Sequence, residues 1–218
     1  MDRDTPPASA TPAAAWGHLP VNAPTPVDGQ ITLVPSDPAW PAQFQREAAR
    51  IGAALGARAL RIEHIGSTAV PGLIAKPIVD ILLVVADCAD EPAYLPDLAA
   101  AGYHLRIREP DPAGGEVFHG VEPHRVFKGP EIDLNLHVYS AGSGEIDRLL
   151  LMRDRLRAEP SERERYARVK TELAANHWET VQAYADAKDS VIAEIVARAR
   201  VAQSDTGRVG DGTSIAPP

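Results

Sequence analysis

The run Ile78-Val79-Asp80-Ile81-Leu82-Leu83-Val84-Val85-Ala86 constrains this chain more than any other stretch. Aliphatic and β-branched residues at this density form a strand covered on both faces. A carboxylate in its midst, Asp80, is strongly unfavourable in the ionised form unless a cation or several donors meet it. The candidates are Lys76, four residues earlier, His64 and Glu63 on a neighbouring candidate strand, and a bound Mg²⁺, a hard cation that prefers carboxylate oxygen. A purely structural Asp–Lys or Asp–Arg pair is the alternative. The run is too short to cross a bilayer, which takes about 20 apolar residues, so no membrane helix is expected.

Upstream, residues 58–65 read as a second strand that ends at Gly66-Ser67. A tight turn with backbone N–H groups and a hydroxyl can hold phosphate oxygens, although many Gly-Ser pairs only turn the chain. Around this pair the pattern predicts a short strand at 31–34, then a helix to about Leu55 capped by Ser36 or Asp37 with Pro38 in its first turn. Trp40, Phe44, Ala48, Ile51 and Leu55 recur at helical spacing and define its buried face. A short helix is expected at 91–101, and strands at 103–108, 116–119, 125–128 and 132–139. Helices follow at 145–158, 161–176 and 178–202, the first broken by Glu159-Pro160.

Residues 1–29 are rich in Pro and Ala and 204–218 in Gly, compositions that cannot bury enough apolar surface to offset chain entropy. Both are expected to be disordered arms around one folded body at 30–203. A formal charge of −8 argues against general nucleic-acid binding, which depends on Lys and Arg neutralising phosphates. A local basic pocket for a nucleotide and a small-molecule acceptor remains compatible with it. One cysteine, Cys88, excludes an internal disulfide framework and suits a reducing compartment. With no basic, apolar leader at Met1-Asp2-Arg3-Asp4, a cytoplasmic location is expected. The oligomeric state is left open.

The block Glu63-His64-Ile65-Gly66-Ser67-Thr68-Ala69-Val70-Pro71-Gly72-Leu73-Ile74-Ala75-Lys76-Pro77-Ile78-Val79-Asp80-Ile81 resembles the signature of the GrpB family, a group of nucleotidyltransferase-like bacterial proteins. Pro38-Ala39-Trp40, Ala101-Gly102-Tyr103, Asn135-Leu136-His137-Val138, Arg153-Asp154-Arg155-Leu156-Arg157, Tyr166 with Lys170, and Tyr184-Ala185-Asp186-Ala187-Lys188 extend the likeness over residues 33–196. The resemblance implies an α+β fold: a mixed β-sheet flanked by helices, with a C-terminal helical bundle. It also implies a triphosphate and Mg²⁺ placed side by side at the Gly-Ser turn and the strand carboxylate. Relatives fused behind dephospho-coenzyme A kinase point toward nucleotide or coenzyme A metabolism. Two positions depart from the pattern. Asn135 stands where the family often has His, and Leu82 stands where active nucleotidyltransferases carry a second carboxylate for a second metal.

On this reading Gly66, Ser67, Lys76, Arg153, Arg157, Lys170 and Lys188 bind phosphate or substrate. Asp80, His64 and His137 are catalytic, and Asp80 with Glu63 and Asp133 holds Mg²⁺. Arg153 and Arg157, at i and i+4, share a helix face suited to clamping an anion, with salt bridges to Asp154 or Glu162 as the rival. His119, His124 and His137 lack metal-ligand spacing, so zinc is not expected. The expected activity is transfer of a nucleotidyl or phosphoryl group from a nucleoside triphosphate to a small acceptor. The alternatives are a non-catalytic nucleotide- or metabolite-binding module, or an ATP-dependent ligase or transferase using the same cleft.

Overall fold

The aliphatic run forms a strand over Val79–Val85 in the computed structural model, which describes residues 20–23, 25–110 and 122–209. In chain order the strands are β1 (Pro26–Gly29), β2 (Arg61–Ile65), β3 (Val79–Val85), β4 (His104–Glu109), β5 (His124–Lys128), β6 (Leu134–Ser140) and β7 (Trp178–Thr180). The helices are α1 (Trp40–Leu55), α2 (Leu95–Ala100), α3 (Gly144–Ala158), α4 (Pro160–Ala174), α5 (Val181–Asp186) and α6 (Asp189–Val209). Five strands make one mixed sheet in the order β2-β3-β6-β5-β4, with β3 and β6 parallel and the other neighbours antiparallel. This is the α+β architecture expected.

Two-residue alternation gives the sheet two distinct faces. Val79, Ile81, Leu83 and Val85 of β3 join Leu134, Leu136 and Val138 of β6 and Phe127 of β5 in one apolar core. Trp40, Ile51 and Leu55 of α1 pack there with Tyr94, Leu98 and Tyr103. Burying each such side chain contributes about 1.5–3 kcal/mol, so this face dominates the stability of the sheet. The opposite face carries Asp80, Leu82 and Val84 beside Asn135, His137 and Tyr139, their registered partners on β6.

The described residues group into two compact units, Leu33–Ile146 with the segment ending at Ala23, and the residues from Asp147 onward with Pro24–Thr32. Part of the N-terminal arm expected to be disordered is ordered. Asn22 accepts from the Arg108 N–H through Oδ1 (2.7 Å) and donates through Nδ2 to the Arg108 carbonyl (3.2 Å). The Arg106 guanidinium donates to the carbonyls of Pro20 and Ala23. β4 is an edge strand, and its open backbone groups give Asn22 these partners. Further on, β1 pairs antiparallel with β7. Residues 1–19, the expected strand at 116–119 with His119, and residues 210–218 lie outside the described residues.

Other boundaries also differ from the pattern reading. Residues 31–34 do not form a strand; Val34 makes a single antiparallel bridge to Ala75. α1 begins two residues later than its Pro38 signal, with Pro41 in its first turn, and Asp37 Oδ1 accepts from the Ala39 N–H (2.8 Å). The long helix expected over 178–202 is interrupted. Trp178–Thr180 pairs with β1, and the Thr180 hydroxyl accepts from the Ala183 N–H as the cap of a new helix, α5. α6 then runs to Val209, into the tail expected to be disordered.

In the second unit a buried carboxylate ties α4 to α6. Glu162 accepts two hydrogen bonds from Arg198, at 2.5 and 2.8 Å, and lies 3.6 Å from Arg155. The Arg198 side chain is 41% exposed, which weakens the pair through solvent screening. Glu162→Gln keeps the shape but removes the charge, and is expected to destabilise this unit by about 1–2 kcal/mol in urea unfolding. An unchanged midpoint would show that the pair contributes nothing.

Candidate functional site

The antiparallel register of β2 and β3 sets Ile65 opposite Asp80, so the next residue, Gly66, lies against the carboxylate. Gly66 has φ +68°, a left-handed conformation that side chains other than glycine rarely adopt. A Cβ built there would lie 2.3 Å from Asp80 Oδ2. Glycine is therefore demanded twice, by the backbone and by the approach of the carboxylate. Ser67–Ala69 follows as a single 3-10 turn closed by the N–H groups of Ala69 and Val70.

Asp80 is only partly withdrawn from water, its side chain 26% exposed, although both chain neighbours are fully in the core. Asn135 Nδ2 donates to Oδ1 at 2.8 Å, and His137 Nε2 lies 3.6 Å from the same oxygen. Burial pushes the carboxyl pKa up. The nearby His137 imidazole, the Asn135 amide and the charge of Lys76 outweigh it, leaving the group below the ordinary carboxylate value. For Lys76 burial dominates and, with the like charge of Lys128, lowers its pKa against the opposing pull of Asp80 and Asp133. Lys128 in turn donates to Asp133 Oδ1 at 2.8 Å. The charge that had to be met is thus met by an amide, an imidazole and an ammonium, and no arginine is among these partners.

Of the residues expected in the site, Gly66, Ser67, Lys76, Asp80 and His137 are gathered around the end of β3. His64 is not with them. It pairs with Ile81, on the core face, where it is buried, stacks on Phe44 of α1 with centroids 4.8 Å apart, and lies 3.1 Å from the Thr68 hydroxyl. Glu63 is on the Asp80 face but opposite Leu82, in an ion pair with Arg61 at 3.0 Å. Asp133 is paired with Lys128, and the three expected metal ligands do not converge. Among the described residues no group of three or more His, Cys, Asp or Glu could hold a metal ion, and Leu82 is fully buried.

The other four expected cations belong to the second unit. Arg153 donates twice to Asp154, at 2.7 and 3.1 Å, and Arg157 lies 3.6 Å from the same carboxylate, so the salt-bridge rival to the anion clamp is present. Lys170 is buried with its Nζ 5.3 Å from the Tyr166 ring centroid, and the Lys188 Nζ sits 4.1 Å over Tyr184. Two groups beside Asp80 escaped the sequence reading. Asn135 was readable only as a departure from a pattern, and Lys128 is brought opposite Asn135 by a β5–β6 register that the sequence does not display.

These features define an α+β protein whose mixed sheet presents one ionised carboxylate against a glycine turn. A family model described as GrpB protein matches residues 30–198, and the chain belongs to the GrpB family. A UPF0157 protein of Halalkalibacterium halodurans is 58% identical over 174 residues, covering 80% of this chain and 85% of that protein. A UPF0157 protein of Streptomyces coelicolor is 43% identical over 174 residues, covering 80% and 87%. The crystal structure of the conserved protein GrpB from Enterococcus faecalis superposes with a TM-score of 0.60 at 31% identity, covering 77% of this chain and 96% of that one. A dephospho-CoA kinase of Mycolicibacterium paratuberculosis is 34% identical over 176 residues, of which this chain spans 43% of the length. No described helix is long and apolar enough to cross a membrane.

Two outcomes follow for the site itself. Gly66→Ala must strain the backbone and displace the carboxylate, and is expected to lower stability by about 1–3 kcal/mol in chemical unfolding; a neutral substitution would refute the close approach. A depressed Asp80 pKa stabilises the folded chain fully above the unfolded value near pH 4, and that contribution is lost as pH falls through the lower folded value. The stability gap between wild type and Asp80→Asn should therefore be widest above about pH 4 and close in stronger acid. A gap that widens on acidification contradicts the assignment.

Proposed function

We propose that this chain is a nucleotidyltransferase-like enzyme that binds a nucleoside triphosphate at the Gly66-Ser67 turn and transfers a nucleotidyl or phosphoryl group to a small-molecule acceptor. The observation that carries the reading is the Asp80 carboxylate fitted against Gly66, with Lys76 and Lys128 in the same cluster. Bare backbone at the turn lets a phosphate approach closely, and the two ammonium groups offset charge that develops on the phosphoryl oxygens. The similarity to a dephospho-CoA kinase of Mycolicibacterium paratuberculosis supports a setting in nucleotide chemistry.

The donor set suits one Mg²⁺ and not two. Asp80 Oδ1 is taken by Asn135 and His137, while Oδ2 has no hydrogen-bond partner among the described residues. Leu82 supplies no second carboxylate. Magnesium in triphosphate sites is commonly held by one or two carboxylates with water and substrate phosphates, an arrangement Asp80 alone can anchor. When bound it would neutralise phosphate charge. The chain's own residues do the rest: Asn135 and His137 fix the carboxylate, Gly66 lets the turn close against it, and Lys76 and Lys128 hold the anion in place.

The test is Mg²⁺-dependent release of pyrophosphate or phosphate from the four nucleoside triphosphates with a pool of small acceptors. Wild-type turnover is expected to fall at least about 100-fold in Asp80→Asn. Equal rates in the two proteins would sink the proposal. Leu82 in place of a second carboxylate favours a second reading, a nucleotide-binding module without catalysis. Its signature would be thermal stabilisation by nucleotide with no product release.

A further inference from the structure

The outer strands of the five-stranded sheet are β2 and β4, and the outward N–H and C=O groups of an edge strand are a template on which another chain can pair. At β4 these groups meet the chain's own N-terminal arm, which belongs to the same compact unit. The Asn22 N–H donates to the Arg106 carbonyl at 2.8 Å. At Arg108, two residues on, the Asn22 side chain takes both backbone groups: Oδ1 accepts from the N–H at 2.7 Å, and Nδ2 donates to the carbonyl at 3.2 Å. One asparagine thus makes to this stretch the kind of hydrogen bonds that an added strand would make.

Two features hold Asn22 in place. Its φ of +64° is left-handed, a conformation that asparagine tolerates better than most side chains and that persists where the surroundings impose it. The chain therefore curls here, with the Ala23 N–H donating to the Pro20 carbonyl at 3.2 Å, and covers β4 as a turn. The second feature is Arg106, only 4% exposed, whose guanidinium donates to the Pro20 carbonyl and, at 3.1 Å, to the Ala23 carbonyl. Charge-assisted bonds to carbonyls on both sides of Asn22 clamp the turn from β4 itself.

Exposed charges commonly guard an edge strand, but the charges of β4 are committed elsewhere. Arg106 is buried with the arm, and Arg108 donates to both oxygens of Glu91, at 2.7 and 2.6 Å. The arm also precedes residues 30–198, the part matched by the family model, so it is an addition to the body that defines the family. We propose that Pro20–Ala23 is a built-in edge cap, a strap that occupies the β4 edge in place of a strand from a second copy of this chain and so keeps the sheet from extending between molecules.

The test uses the full-length chain, Asn22→Ala, and a double variant that adds Arg106→Met, which keeps much of the side-chain volume and loses the clamp. In hydrogen exchange followed by NMR, the Arg108 amide of dilute wild type is expected to exchange at least about tenfold more slowly than that of Asn22→Ala, with the core amides of Ile81 and Leu83 unchanged. In light scattering over a concentration series, the wild-type mass should stay constant while that of the double variant rises. The Arg108 amide of the double variant should regain protection as it associates, which ties association to β4. If Arg106→Met speeds exchange in the core, Asn22→Ala alone carries the same readouts. Equal Arg108 exchange in wild type and Asn22→Ala overturns the inference. So does an uncapped chain whose mass stays constant, or one that associates with Arg108 still unprotected.

Discussion

The site depends on one negative charge held at the end of β3. Its position follows from strand pairing: Ile65 opposite Asp80 brings Gly66 under the carboxylate, and Asp80 opposite Asn135 brings an amide to Oδ1. The core face makes that pairing rigid. Val79, Ile81, Leu83 and Val85 anchor β3 to the apolar layer, so the alternate residues have no freedom to turn away. A one-residue slip would bury Asp80 in that core and expose an aliphatic side chain, an exchange the hydrophobic face forbids. The apolar alternation and the ionised group are thus one device, in which packing energy fixes the geometry of a charge.

Compensation of that charge is shared among unlike groups. An amide contributes a directed hydrogen bond, an imidazole a second polar partner 3.6 Å away, and Lys76 a cation partly stripped of water. Neither lysine of the cluster stands without an acid, since Asp80 acts on Lys76 and Asp133 binds Lys128. An incoming anion would meet a preformed alternation of charge. That arrangement differs from the two-carboxylate design that holds two metals, and Leu82 marks the difference on the strand itself.

Much of this was legible in the residues alone. The aliphatic run announced β3, the helical spacing from Trp40 to Leu55 announced α1, and Gly66 marked a turn that lies against Asp80. The rest was hidden in register. Alternation along β2 places His64 and Glu63 on opposite faces, but which of them shares a face with Asp80 depends on how β2 meets β3, and neither strand carries that information by itself. His64 beside the turn therefore looked like a base and proved to be a core residue. Local capping chemistry likewise overrode helical pattern at Thr180, where one expected helix became a strand and two helices.

The central claim is that the Gly66 turn and the Asp80 cluster together receive a triphosphate. The most direct measurement is a nitrogen-15 NMR titration of the full chain with a nucleoside triphosphate and Mg²⁺, following the backbone amides of Gly66 and Ser67 and the side-chain amide of Asn135. Saturable shifts at all three, absent with the nucleoside alone, are the predicted result. Shifts confined to residues away from β3, or none at millimolar nucleotide, would contradict the account.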